Sequence, residues 1–196
     1  MSSERFDAEY FDHYYFARAT RIAEPAYFGR LAGFLTAYLD LLDCRVDEVL
    51  DAGCGAGLLH AGLRRAWPRV HIDAFDASAW ACARYGWQQA TIEAYQATEV
   101  YDLVICYDVL QYLDREAARA AIAKLAGLTR TALFFGVLTR EDWRDNCDQV
   151  RTDGDAHLRS ARWYRRELGR YFRNAGGGLY IRRDATDVVL YALESV

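Results

Sequence analysis

The sequence of 196 residues has 2 prolines, a single lysine and no long apolar run. No segment approaches the ~18 apolar residues that a membrane-spanning helix needs. Glu4, Arg5 and Asp7 stand where a secretory signal peptide would have its apolar core, so we expect a cytoplasmic protein without a membrane partner. The scarcity of proline, together with 53% hydrophobic residues, excludes a disordered or low-complexity chain.

An excess of positive charge is also absent. The chain has 24 basic and 28 acidic residues and a formal net charge of −4, which argues against a nucleic-acid partner. Every basic residue except Lys124 is an arginine, which indicates a G+C-rich, bacterial genome. Because Lys124 lies within a predicted helix, chemistry through a Schiff base or a lysine nucleophile is excluded unless this side chain reaches the site.

The cysteines offer neither a disulfide framework nor a zinc site. They are odd in number, widely spaced and contain no C-x-x-C pair. This pattern predicts free thiols in a reducing compartment. The five are Cys44, Cys54, Cys82, Cys106 and Cys147.

Apolar runs alternate with helical segments through the middle of the chain. Strands are predicted at 46–52, 70–75, 90–94, 101–107 and 131–137. Helices are predicted at 25–42, 58–65, 79–85 and 115–128, with Gly127 ending the last of them. This alternation predicts a parallel sheet with helices on both faces, and continuous apolar strands fit burial between those helices.

The pattern changes after the fifth predicted strand. A charged loop spans 139–155, and an amphipathic helix follows at 160–173, which the glycines 176–178 are predicted to end. One face of this helix has an arginine stripe that we expect to face solvent: Arg159, Arg162, Arg166, Arg170 and Arg173. Two further strands, at 179–183 and 188–193, are predicted to form a hairpin. With no linker or repeat, the sequence predicts a single domain over 1–196.

The most informative segment is a glycine-rich turn between the first predicted strand and the next helix. It reads Asp51-Ala52-Gly53-Cys54-Gly55-Ala56-Gly57 and is followed by Leu58. A dinucleotide-binding turn needs glycine at the position of Leu58, and a P-loop needs a Gly-Lys-Ser/Thr sequence that is absent here. Such turns bring backbone close to a ligand, and the following helix offers N–H groups to an anionic group.

This D-x-G-x-G-x-G pattern resembles motif I of the class I S-adenosylmethionine-dependent methyltransferases. Two more features follow in the family's order: Asp76, at the end of the second predicted strand, and the segment 101–113. The similarity covers about residues 26–196. It implies an α/β fold with a Rossmann-like, doubly wound, seven-stranded sheet, mostly parallel with an antiparallel C-terminal hairpin. It also implies S-adenosylmethionine as the cofactor.

The resemblance further implies which residues contact the cofactor. Asp51 is expected near its amino end, Asp76 at its ribose hydroxyls, Glu93 at its adenine and Asp108 at its methionine part. The full group is Asp51, Gly53, Cys54, Gly55, Gly57, Asp76, Ala77, Glu93, Ala94, Tyr107 and Asp108. Structural alternatives stay open for three of them. Asp76 is otherwise a helix N-cap, Glu93 a solvated strand-edge residue, and Asp108 a cap on a short helix at 109–113.

The loop before the last predicted helix contains the candidate catalytic residues. Asp153, Asp155 and His157 alternate, so in an extended loop all three side chains point the same way. They predict His157 as a general base oriented by Asp155, or a divalent metal site, or only a capping aspartate and a surface histidine. We take His157 and Asp155 as catalytic candidates, with no metal, and assign no role to the other three histidines.

Two parts of the chain are left to recognise a methyl acceptor, the loop 138–158 and an aromatic N-terminal segment. The aromatic residues are Tyr10, Phe11, Tyr14, Tyr15 and Phe16. Residues 1–25 are predicted either to form a lid over the site or to pack on the core. So little chain beyond the core fold predicts a small-molecule acceptor, methylated on oxygen or nitrogen. The alternative function is a non-catalytic S-adenosylmethionine-binding or scaffold protein with the same fold.

Overall fold

A computed structural model describes residues 5–21 and 24–190. Its helices are α1 (Ala8–Phe11), α2 (Pro25–Leu41), α3 (His60–Ala66), α4 (Ala79–Tyr85), α5 (Arg115–Leu128), α6 (Arg140–Asp145) and α7 (Ala161–Leu168). Its strands are β1 (Glu48–Ala52), β2 (His71–Asp76), β3 (Gln88–Gln89), β4 (Tyr101–Tyr107), β5 (Thr129–Gly136), β6 (Phe172–Gly176) and β7 (Leu179–Arg182). A π-helical turn (Asp12–Phe16) follows α1, and a 3₁₀ turn (Leu110–Tyr112) follows β4. No helix within the two described ranges is long and apolar enough to cross a membrane.

The described strands form one seven-stranded sheet in the order β3-β2-β1-β4-β5-β7-β6. The first five of these are parallel, and β7 runs antiparallel to both of its neighbours. The predicted α/β class, with a doubly wound, seven-stranded sheet and an antiparallel C-terminal hairpin, is confirmed. The strand order reverses between β1 and β4, and open α/β sheets bind ligands beyond the carboxyl ends of the strands at such a point.

Helices cover both faces of the sheet, because strand residues alternate between two apolar cores. In β4, Val104 and Cys106 belong to the core with α5 and α7, whereas Leu103 and Ile105 belong to the core with α2 and α3. All four side chains are fully buried. A strand buried on both faces has a continuous apolar sequence, which is why the bounds of β4 match the prediction.

Local signals also determine helix α5, which has the predicted bounds. The side chain of Asp114 accepts hydrogen bonds from the backbone N–H groups of Glu116 and Ala117 and so caps the first turn. Gly127 does not end the helix as predicted. The helix continues to Leu128, and the chain passes directly into β5.

The third strand is shorter than predicted and lies earlier in the chain. It is the two-residue β3, which pairs with the end of β2, whereas the predicted segment 90–94 contains a turn at 92–94. The side chains of Ile92, in this turn, and Tyr95, just after it, are buried in the core. The Tyr95 ring stacks on that of Phe75 with centroids 4.2 Å apart. The apolar residues that suggested a strand are therefore buried without strand pairing.

The C-terminal hairpin is displaced along the chain relative to the prediction. Helix α7 ends at Leu168, and the end of the predicted helix belongs to β6. The glycines 176–178 have φ values of 83°, 58° and 82°, so they form the turn between β6 and β7 and do not end a helix. Residues 188–190 form no strand, and the rest of the predicted last strand lies outside the described residues.

Candidate cofactor and acceptor site

A cavity of about 400 Å³ lies at the carboxyl ends of β1, β2 and β4, where the strand order reverses. A second cavity, of about 80 Å³, adjoins it. The two share the lining residues Tyr15, Gly53, Tyr107 and Asp108. The larger volume lies within the range of about 300–1,000 Å³ that is usual for small-molecule sites.

The glycine-rich turn borders both cavities and is too tight for larger residues. Gly53 has a φ of 77°, and a carbon added to it would lie 2.5 Å from the side chain of Val109. Gly57 has a φ of 65° and is confined by Trp87, 2.9 Å from such a carbon, and by His60, 3.1 Å from it. Left-handed backbone and crowding together require glycine at both positions.

Most backbone N–H groups of the turn donate within the protein. Those of Gly53 and Cys54 donate to the carbonyl oxygen of Phe75, and that of Gly55 donates to the carboxylate of Asp76. The turn therefore provides a close backbone approach, and the N–H groups of Ala56, Leu58 and Leu59, which donate to no described residue, remain for a ligand.

Asp76, at the carboxyl end of β2, is held by two backbone donors. Its Oδ2 accepts from the N–H of Gly55 at 2.8 Å, and its Oδ1 accepts from that of Ser78 at 2.7 Å. Burial raises the pKa of the Asp76 carboxyl, and these N–H groups partly oppose the shift. A carboxylate has about four lone-pair sites, so Asp76 keeps acceptor capacity for the cavity that it lines. The N-cap of α4 is Ser78, whose hydroxyl accepts from the N–H of Ala81.

Asp108 follows β4 and lines both cavities. Its φ of 59° is a left-handed conformation that aspartate and asparagine tolerate better than most residues. Desolvation by the surrounding protein raises the pKa of its carboxyl to about 6, and a hydrogen bond from the Gln111 side chain partly offsets this rise. The 3₁₀ turn that follows has no side-chain cap, so Asp108 does not serve as one.

The turn after Asp108 is held by Arg159. The prediction that the arginine stripe faces solvent is wrong for this residue, whereas Arg162, Arg166 and Arg170 are exposed as predicted. Arg159 is 6% exposed, and its guanidinium donates to the carbonyl oxygens of Leu110 and Leu113 and to the hydroxyl of Tyr164. A buried guanidinium costs little only when its donors are satisfied in this way. Arg159 therefore fixes the wall of the larger cavity from behind.

Both catalytic candidates, His157 and Asp155, line the larger cavity. The Asp155 carboxylate lies 3.0 Å from the Arg5 guanidinium, and within residues 5–21 and 24–190 no hydrogen bond joins it to the His157 ring. His157 is exposed, and its backbone N–H donates to the carbonyl oxygen of Gln111 at 2.7 Å. Asp153 also pairs with Arg5, at 2.5 Å. Within the same ranges, no group of three His, Cys, Asp or Glu residues is placed to bind a metal. The segment 139–155, predicted as a loop, contains helix α6.

The aromatic N-terminal segment lies over the larger cavity. Phe6, Tyr10 and Tyr15 line it, and the Tyr10 hydroxyl lies 2.9 Å from that of Tyr112 on another wall. The ion pairs of Arg5 connect the same segment to the loop that contains the catalytic candidates. The described part of 1–25 thus covers the cavity, and its opening as a lid stays a prediction.

The residues predicted to bind or react converge on the two cavities, with two exceptions. Those on the larger cavity are Gly53, Gly55, Asp76, Ala77, Glu93, Tyr107, Asp108, Asp155 and His157. Those on the smaller cavity are Asp51, Gly53, Cys54, Tyr107 and Asp108. Gly57 and Ala94 line neither of these two cavities. Sequence reasoning missed Arg5, because its partners lie 148 and 150 residues away and no local pattern marks it.

Comparison with known proteins shows the family. A family model described as a methyltransferase domain matches residues 13–178, most of the chain. The chain belongs to this methyltransferase family. Ubiquinone biosynthesis O-methyltransferase of Rickettsia felis is 32% identical over 76 residues, which cover 34% of this chain and 31% of that protein. The protein of the same name from Rickettsia prowazekii is 29% identical over 115 residues, 48% of this chain and 46% of that protein. The methyltransferase thus matches less than half the length of these curated relatives.

Solved structures share the fold of this methyltransferase. Magnesium protoporphyrin IX methyltransferase from Synechocystis PCC 6803, with bound S-adenosylmethionine, has a TM-score of 0.61 and 20% identity, over 92% of this chain and 91% of that chain. DesVI of Streptomyces venezuelae has a TM-score of 0.63 and 14% identity, over 91% of this chain and 98% of that chain. At such identities the likeness concerns the fold alone. With the family match, it confirms the predicted class I S-adenosylmethionine-dependent methyltransferase and its cofactor.

The lining of the two cavities fits S-adenosylmethionine. The acceptor oxygens of Asp76 suit the hydroxyls of a ribose, and the apolar wall of Phe75 and Ile92 suits an adenine ring. Asp51 and Asp108 line the smaller cavity, which has no lysine or arginine on the part of its wall that the structure describes. Carboxylates without a competing cation suit the sulfonium and ammonium groups of the cofactor.

Asp108→Asn is expected to remove a pH dependence from cofactor binding. Because the pKa of the Asp108 carboxyl is raised to about 6, it gains charge as the pH rises through that value. The ionised form attracts the sulfonium of S-adenosylmethionine but not the neutral thioether of S-adenosylhomocysteine. For charges ~5 Å apart in a solvated cavity this attraction is about 1 kcal/mol, or roughly fivefold in Kd.

Calorimetric titration at a series of pH values measures this effect. In the native protein the Kd for S-adenosylmethionine should fall about threefold between about pH 5 and about pH 7, relative to that for S-adenosylhomocysteine, because Asp108 passes through most of its titration in this range. Asparagine keeps the size of the side chain and tolerates the left-handed backbone, so the variant should show a constant ratio. A ratio that still changes with pH in the variant would contradict the placement of the sulfonium beside Asp108.

Proposed function

We propose that the methyltransferase transfers the methyl group of S-adenosylmethionine to a hydroxyl or amine of a small molecule bound in the larger cavity. The observation that carries this proposal is that one cavity of about 400 Å³ is lined by both Asp76 and His157. The acceptor shares this volume with part of the cofactor, and the N-terminal aromatic segment covers it. Both facts favour a small acceptor.

The chain contributes placement and the exclusion of water. S-adenosylmethionine supplies a methyl group on a sulfonium, which a nucleophile in line with the departing sulfur receives. Asp76 holds the ribose, and the rings of Phe6, Tyr10 and Tyr15 keep water from the acceptor. Holding the nucleophile ~3–3.5 Å from the methyl group in a dry site supplies most of the rate.

His157 is the base that removes the proton from the acceptor. His157 lines the cavity and is exposed, so a proton taken from the acceptor can pass on to solvent. The Asp155 carboxylate pairs with Arg5 and not with the His157 ring. Asp155 therefore positions His157 only indirectly, by holding the loop that contains both residues. A hydroxyl acceptor is favoured over an amine, since the two curated relatives described above are O-methyltransferases.

Ligand titrations and an acceptor screen test the proposal. Calorimetry should show binding of S-adenosylmethionine and S-adenosylhomocysteine but not of NAD, because Leu58 replaces the third glycine of a dinucleotide turn. A panel of phenols, aliphatic hydroxyl compounds and amines, incubated with protein and S-adenosylmethionine, should include one that causes release of S-adenosylhomocysteine. Cofactor binding without such release would favour the non-catalytic alternative, and the absence of binding would overturn the proposal.

A further inference from the structure

A buried histidine–aspartate pair lies behind the glycine-rich turn. Asp51 lies in β1, and His60 is the first residue of α3. The Nε2 atom of His60 lies 2.9 Å from Oδ2 of Asp51, and the two side chains are 4% and 7% exposed. Because a carboxylate oxygen only accepts, the His60 ring donates from Nε2.

The His60 ring is fixed in place by its other contacts. It packs edge-on against the ring of Trp87 with centroids 5.1 Å apart, and Gly57 leaves the space beside its Nδ1 atom. Nδ1 is buried and has no hydrogen-bond partner within the described residues. The ring is therefore held by packing on one side and by the bond to Asp51 on the other.

The other carboxylate oxygen of Asp51 is left for a ligand. Asp51 lines the smaller cavity, and no hydrogen bond between described residues engages its Oδ1. The described wall of that cavity has a second carboxylate, Asp108, and aromatic rings including Tyr15 and Tyr107, but no arginine or lysine. Such a lining selects a small cation, because carboxylates and ring faces both attract positive charge.

We propose that His60 is a positioning residue that aims the Asp51 carboxylate at the α-ammonium group of the cofactor. The inference rests on the proposed placement of the ribose at Asp76. That placement puts the adenine against the apolar wall of the larger cavity and leaves the amino-acid end of the cofactor for the smaller one. His60 acts only through Asp51, since it lines neither of the two cavities.

Calorimetry with two ligands separates positioning from a structural role. S-adenosylhomocysteine has the α-amino-acid end, whereas 5′-methylthioadenosine has the same adenine, ribose and sulfur without it. His60→Leu should weaken binding of S-adenosylhomocysteine about 10- to 100-fold, which is the effect of losing the hydrogen-bonded pair between the Asp51 carboxylate and the α-ammonium group. Binding of 5′-methylthioadenosine should stay within about twofold of the native value. In His60→Gln the side-chain amide can donate where Nε2 does, so most of the native affinity should return.

A second histidine pair provides the matched control. His71 lies 2.8 Å from a carboxylate oxygen of Glu48 but is exposed and lines neither of the two cavities, so His71→Leu should bind both ligands as the native protein does. Equal weakening of both ligands by His60→Leu, or no weakening of either, would overturn the inference while leaving the proposed function intact. A native protein that binds neither ligand would overturn both.

Discussion

Replacing Asp76 by alanine is expected to weaken binding of S-adenosylhomocysteine by roughly 10²- to 10⁴-fold. The carboxylate would accept two hydrogen bonds from the ribose, and hydrogen bonds to a charged group contribute about 1.5–3 kcal/mol each. Asp76 suits this role because backbone N–H groups from Gly55 and Ser78 fix both of its oxygens at the edge of the cavity. Isothermal titration calorimetry of the purified variant measures the change in Kd.

The control for this experiment lies on the same strand. Asp73 is also on β2 and accepts a hydrogen bond from the Tyr101 hydroxyl at 2.7 Å, but it lines neither of the two cavities. Asp73→Ala should therefore leave the Kd unchanged. Asp76→Asn keeps one acceptor oxygen and should show an intermediate loss. A Kd for Asp76→Ala within about threefold of the native value would show that the ribose is bound elsewhere.

Local sequence determines the central part of the fold and only part of its edges. The bounds of β4 and α5 follow from a run of apolar residues buried on both faces and from a capping aspartate, both of which are local features. Strand β3 has only two residues and exists because Phe75 and Asp76 in β2 pair with it. The glycines 176–178 are equally compatible with a helix stop or a hairpin turn until the pairing of β6 with β7 decides. In both cases the pairing partner, and not the segment itself, decides the structure.

The candidate site divides in the same way. The glycine turn and Asp76 were predictable because a short, ordered motif contains them, and both border the cavities. Arg5 and His60 were missed because their roles depend on partners brought together by the fold. His60 is 9 residues from Asp51, yet only the turn formed by the intervening glycines brings the two side chains into contact.

Replacing His157 by alanine is expected to lower kcat by roughly 10²- to 10⁴-fold, the usual contribution of a positioned general base. Cofactor binding should be unchanged, because Asp51, Asp76 and Asp108, which are proposed to hold the cofactor, lie at or just after the carboxyl ends of β1, β2 and β4, whereas His157 lies in the loop before α7. The measurement pairs the rate of S-adenosylhomocysteine release with a calorimetric Kd for the same variant.

A control histidine and a chemical rescue make this test specific. His13 is exposed in the N-terminal segment and lines neither of the two cavities, so His13→Ala should keep the native kcat. Imidazole added to His157→Ala can enter the space left by the missing ring and accept the proton, so it should restore part of the rate, whereas it should not accelerate the native enzyme. A structural role for His157 would give no such rescue. Unchanged kcat in His157→Ala would remove it from the reaction and leave placement by the cavity as the chain's whole contribution to methyl transfer.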